Sequence, residues 1–179
     1  MDRLKSESLG RREAGFSMIE LLVVVAIMGI LIAAALPAMQ KQTGTAKLKQ
    51  ATDEVSNTLK LARQRAVATN GDVVVQFDLG TPSRSGNFYL FDDKDADGVR
   101  DDSETMAGPY DVPKGVAMAE VGFANRRVTF EATGSASESE AVILVNARQD
   151  AQRVDVTAPT GLIYVSDIYH YVEGGGHGQ

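Results

Sequence analysis

Seven carboxylates crowd into residues 92 to 104, opposed only by Lys94 and Arg100, a local net charge of −5. Within that run, Asp93-Lys94-Asp95-Ala96-Asp97-Gly98-Val99-Arg100-Asp101-Asp102-Ser103-Glu104 satisfies the calcium-loop pattern D-x-D-x-D-G-x5-E at every defined position. The chemistry on offer is an oxygen cage for a hard cation. Calcium takes about six to eight oxygens, and this loop can supply them. Asp93, Asp95 and Asp97 each offer carboxylate oxygen, the Val99 carbonyl can point inward, Asp101 can act through water, and Glu104 can close the shell with two oxygens. Gly98 permits the sharp turn that such a loop needs. Ca2+ is the one cofactor this set suggests, and nothing in the sequence requires another. The same carboxylates also fit a solvated acidic turn, or an electrostatic surface for docking a partner.

A different carboxylate opens an apolar run. Glu20 is followed by LLVVVAIMGILIAAALPAM. An ionised carboxylate at the centre of a membrane helix costs about 2.5 to 3.5 kcal/mol on insertion scales, so such a residue usually has a task and a partner. Just upstream, the Gly15-Phe16 bond lies where a polar segment gives way to the apolar one. Gly15 leaves that bond free of a side chain on one side, which suits a processing enzyme. An ordinary secretory signal would end its apolar stretch at a small-residue cleavage site, whereas here that stretch follows the expected cut.

Composition narrows the remaining chemistry. The chain has 179 residues and no cysteine, which removes disulfides, thiol catalysis and cysteine metal sites. His170 and His177 fall near the C-terminus, the second inside a GGGHGQ tail that offers no rigid setting for catalysis. No nucleophile–base set, P-loop or dinucleotide fingerprint is present, so the chain reads as a non-enzyme. Net charge is −6, concentrated in the acidic loop, which argues against a nucleic-acid surface.

The elements that must position these residues follow from periodicity. Residues 1–15 are a polar leader in which Arg3, Lys5, Arg11 and Arg12 favour a cytoplasmic N-terminus. Residues 16–39, as a helix, would span about 36 Å and cover a membrane's hydrocarbon core. Gly29 suits close packing between membrane helices, and Pro37 should kink or loosen the helix. Over 40–71 the helix continues as an amphipathic one, with Leu48, Ala51, Val55, Leu59, Ala62 and Ala66 on one stripe. Lys47, Lys49, Asp53, Lys60, Arg63 and Arg65 fall mostly off it, as a solvated face, and Asn70-Gly71 ends it. Residues 72–172 read as an antiparallel β domain, with strands expected at DVVVQFD, NFYLF, RVTF, AVILV, RVDVT and LIYV. Turn signals lie at Gly108-Pro109, Pro113 to Gly115, Gly134 to Ser139 and Pro159 to Gly161, and residues 173–179 form a flexible tail. Strand flanks mean that the acidic loop sits in a hairpin, not between the helices of an EF-hand. The fold class is α+β, a long helix followed by antiparallel sheet.

The N-terminal residues resemble the class III signal of type IV pilins and type II secretion pseudopilins. The resemblance rests on Gly15 as last leader residue, Phe16 as new N-terminus, Glu20 and Pro37. It implies cleavage after Gly15 by a prepilin peptidase, methylation of the Phe16 amine, and subunit docking through Phe16 and Glu20. The sheet region is similar to the GspH/FimT branch of minor pilins, which includes FimU-like proteins. Ala62, Arg63 and Ala66 match its helix end, Phe130 and Gly134 a turn, and Gly161 the opening of a final strand, while tryptophan and basic residues are missing from the last strand region.

The resemblance implies a pilin fold and a minor pilin that helps initiate or cap type IV pilus assembly. The alternative within the class is a type II secretion minor pseudopilin, and the alternative from another class is a DNA-uptake receptor subunit of a competence pilus, since some relatives bind DNA. Implied partners are other minor and major pilins or pseudopilins, the prepilin peptidase, an inner-membrane assembly platform and the membrane itself. The implied place is the bacterial inner membrane as a single pass, with a periplasmic C-terminal domain, and then the pilus or pseudopilus.

Overall fold

The computed structural model describes residues 17 to 80 and 85 to 172, with the side chains of residues 35 to 41 left out. The expected leader, Gly15, Phe16 and the expected tail lie outside the described residues, as does the side chain of Pro37. One helix, α1 (Met18–Thr69), opens at Ser17, whose carbonyl accepts the amides of Glu20 and Leu21 at 3.0 and 3.2 Å. The chain divides into two compact units, one up to Gln40 and one from Lys41.

In the first unit the large apolar side chains from Met18 to Ile32 are exposed, and Glu20 is exposed among them. Among the described residues no helix is long and apolar enough to cross a membrane. The described side chains of this run stop at Ala34, short of the Leu36 to Met39 end of the span expected from the sequence.

In the second unit the stripe of α1 is the buried face. Leu48, Val55, Leu59, Ala62 and Ala66 are fully buried and Ala51 nearly so. Thr52 and Ser56 share that face, and Thr52 Oγ1 donates back to the Leu48 carbonyl at 2.9 Å, which satisfies a hydroxyl that water cannot reach. The helix ends as Asn70 turns to φ 52° and the Gly71 amide bonds the Ala66 carbonyl at 3.2 Å. Arg63 and Arg65 do not belong to a solvated face. Both are half-buried: Arg63 Nε donates to the Gly134 carbonyl at 2.9 Å, and Arg65 pairs with Asp92.

Among the described residues nine strands follow: β1 (Asp72–Asp78), β2 (Asn87–Asp93), β3 (Met106–Asp111), β4 (Val116–Val121), β5 (Arg127–Phe130), β6 (Glu140–Asn146), β7 (Asp150–Thr157), β8 (Leu162–Val165) and β9 (Tyr169–His170). They form two antiparallel sheets, one ordered β3-β2-β1-β5 and the other β4-β6-β7-β8 with β9 also paired to β7. Gly108-Pro109, expected as a turn, lies within β3. That strand is an edge, where proline's missing donor is tolerated, and the β2–β3 register shifts between Phe88 and Leu90. β4 and β9 were not expected either. The first is a short alanine-containing edge strand and the second only two residues long.

A single core draws on α1 and both sheets. Leu59 and Val55 share one buried cluster with Val73, Val75, Phe77, Leu90, Val128 and Phe130 of the first sheet, and Met118, Val142, Leu144 and Val154 of the second. Phe77 stacks on Phe123 with ring centroids 6.1 Å apart. Each such side chain contributes about 1.5 to 3 kcal/mol on burial, which is how a cysteine-free domain holds together.

Candidate functional site

The acidic run bridges two antiparallel strands, with Asp93 the last residue of β2 and Met106 the first of β3. The β2 pairing sets Asp93 inward. It is 6% exposed, while Asp95 and Asp97 are exposed. Gly98 adopts φ 70° and donates its amide to Asp93 Oδ2 at 2.9 Å. Three later carboxylates each receive an amide from two residues on: Asp97 to Asp95 Oδ1 at 3.4 Å, Val99 to Asp97 Oδ1 at 2.6 Å, Ser103 to Asp101 Oδ1 at 2.6 Å. These small turns curl the loop so that one oxygen each from Asp93, Asp95 and Asp97 lies within 4.8 Å of the others.

Three of the six residues expected as ligands are thus brought together. Glu104 is equally buried, but Oε1 accepts the Lys94 amide at 2.8 Å and Oε2 the Asp101 amide at 3.1 Å. Its carboxylate clamps the two arms of the loop. Asp101 faces the Ser103 amide, and Val99 is exposed.

Burial is the largest influence on the Asp93 carboxyl and pushes its pKa up. The Gly98 amide opposes this, and the charges of Glu104, Asp95 and Asp97 add to it. The Asp101 carboxyl is held below its ordinary value, first by the hydrogen bonds from Ser103.

Two arginines that the spacing did not mark out anchor the loop. Arg127 on β5 donates through Nη1 to the Gly98 carbonyl. Arg65 on α1 pairs with Asp92: Nη2 donates to Oδ2 at 2.7 Å, and Nε lies 2.6 Å from Oδ1 as an ion-pair contact.

Three scattered residues of the expected pilin pattern also meet. Arg63 bonds the Gly134 carbonyl, and Gly161, at φ 58°, lies so close to that carbonyl and to Arg63 that a Cβ would collide with both. At the other end of the chain, Glu20 stands exposed within the exposed apolar segment of α1, while its expected companions Gly15 and Phe16 lie outside the described residues.

Comparison with known proteins agrees with both ends. Residues 10–36 match the prokaryotic N-terminal methylation motif, a motif that implies pilin-type membrane anchoring. A fimbrial protein of Pseudomonas aeruginosa is 38% identical over 77 residues, 39% of this chain and 49% of that protein. The chain thus spans about half the length of the curated relatives it matches. Among solved structures, the type IV minor pilin FimU of Pseudomonas aeruginosa superposes with a TM-score of 0.50 at 15% identity, over 70% of this chain and 92% of that one. The minor pseudopilin EpsH from the type 2 secretion system of Vibrio cholerae gives 0.48 at 15% identity, over 67% and 96%. At such identities the likeness to FimU speaks for the fold, a helix packed on antiparallel sheets. Residues 51–161, more than half of the chain, match the family model for type II transport protein GspH, and the chain belongs to that family.

Proposed function

We infer that the chain is a minor pilin or pseudopilin, a structural and not a catalytic subunit that helps initiate or cap a thin filament. One observation carries this reading. Ahead of a GspH-type domain, the first unit of α1 exposes a continuous set of large apolar side chains, with Glu20 among them. An apolar surface of that extent needs a cover, and a bilayer followed by neighbouring helices provides one.

In this reading the chain crosses the inner membrane once, with its N-terminus cytoplasmic and its sheet domain periplasmic. A prepilin peptidase removes residues 1–15 and the Phe16 amine is methylated. An assembly platform then moves the subunit among other minor and major subunits, where the apolar helices bundle. Burying the Glu20 carboxylate there requires a positive partner, and the Phe16 amine of a neighbouring subunit supplies it.

The local 38% identity to a fimbrial protein favours a type IV pilus. The family description favours type II secretion. Membrane crosslinking followed by identification of the co-purified subunits separates the two.

Substitution of Glu20 tests the docking step. Glu20→Ala makes the segment more apolar, so insertion should persist. Its recovery in sheared filaments or crosslinked tip complexes should fall. Recovery equal to wild type contradicts the role given to Glu20.

A further inference from the structure

The acidic loop buries a carboxylate that no cation among the described residues answers. Asp93 is 6% exposed, and its Oδ1 has no hydrogen-bond partner. Of the nearby cations, Arg65 pairs with Asp92, Arg127 bonds the Gly98 carbonyl, Lys94 Nζ bonds the Ser103 carbonyl at 2.7 Å, and Arg100 is exposed and makes no ion pair with these carboxylates. Among the described residues no ion pair reaches Asp93, Asp95 or Asp97. A buried carboxylate oxygen without a partner is costly, and two further carboxylates drawn to within 4.8 Å raise that cost.

We propose that Asp93, Asp95 and Asp97 bind a calcium ion in the β2–β3 loop, with Glu104 completing the shell. The bare Asp93 Oδ1 is the inner ligand, and the exposed Asp95 and Asp97 give the ion its path in from solvent. Glu104 is close enough for its charge to bear on Asp93, and it reaches the ion by releasing the Lys94 and Asp101 amides.

The donor set selects the metal. Carboxylate oxygens alone favour a hard ion over zinc or copper. A flexible loop with donors beyond six suits calcium better than magnesium, which requires a near-ideal octahedron. The ion would stiffen the hairpin, and the stiffness passes to β5 through Arg127 and to α1 through Arg65. This site stands apart from the filament reading, and neither result decides the other.

The test is equilibrium dialysis of the full chain in detergent micelles against calcium chloride, followed by thermal melting with calcium, magnesium or chelator. The expected result is one bound calcium per chain with a dissociation constant of about 10⁻⁴ to 10⁻³ M, as in extracellular modules. At tenfold excess over that constant the Tm should rise by about 3 to 8 °C, and equal magnesium should not reproduce the rise. Asp95→Asn with Asp97→Asn keeps the acceptors of the small turns but should weaken binding at least about tenfold. Asp102→Asn, outside the set, should leave binding unchanged. Wild-type protein that retains no calcium at about 5 mM, well above that range, overturns the proposal. So does undiminished binding by the double variant, or an equal shift with magnesium. The wild-type dialysis keeps the proposal testable even where the double substitution unfolds the loop.

Discussion

Arg127, on β5, donates through Nη1 to the carbonyl of Gly98 at the tip of the acidic loop, and a Cβ on Gly98 would lie 2.8 Å from the Arg127 Cζ. The bond and the close approach have one cause. The loop folds back over β5, and a side chain at position 98 would have to adopt φ 70° and push the guanidinium aside.

Gly98→Ala should therefore destabilise the domain. The left-handed backbone alone costs about 1 to 2 kcal/mol for an alanine, and displacing Arg127 adds to it. Urea unfolding should show a lower midpoint with an unchanged slope. A midpoint equal to wild type would mean that Arg127 and the loop move apart freely.

The two faces of α1 should respond differently to truncation. Leu59 is fully buried, and Leu59→Ala should cost about 2 to 5 kcal/mol. Leu61, two residues on and 46% exposed, should cost within about 0.5 kcal/mol when cut to alanine. Equal losses in chemical denaturation would show that the helix is buried on a different face.

Gly161→Ala should be worse than Gly115→Ala by about 1 kcal/mol or more. Both glycines have positive φ, so both alanines meet the same kind of backbone strain. Only at Gly161 does the new methyl strike Gly134 and Arg63, whereas nothing lies within 4 Å of the Cβ position at Gly115. Thermal melting of the pair would separate collision from strain.

The helix stripe was legible because a three- and four-residue period over Leu48 to Ala66 has no competing reading, and β5 and β8 were legible from short apolar runs between clear turns. β3 was not, because Gly108-Pro109 signals a turn unless the strand is an edge, and edge position depends on the whole sheet. At the loop, spacing identified which residues carry oxygen. It could not say that Glu104 would turn to two backbone amides, since that depends on which donors the fold brings within reach. Arg65 and Arg127 escaped for the same reason. Their partners, Asp92 and Gly98, are 27 and 29 residues away along the chain.

N-terminal sequencing and intact mass of the mature protein, from cells that carry a prepilin peptidase, test the filament-subunit reading most directly. The account predicts a chain that begins at Phe16, with a methyl group on its amine. A mature protein that still begins at Met1, or that is cut after Ala35, contradicts it.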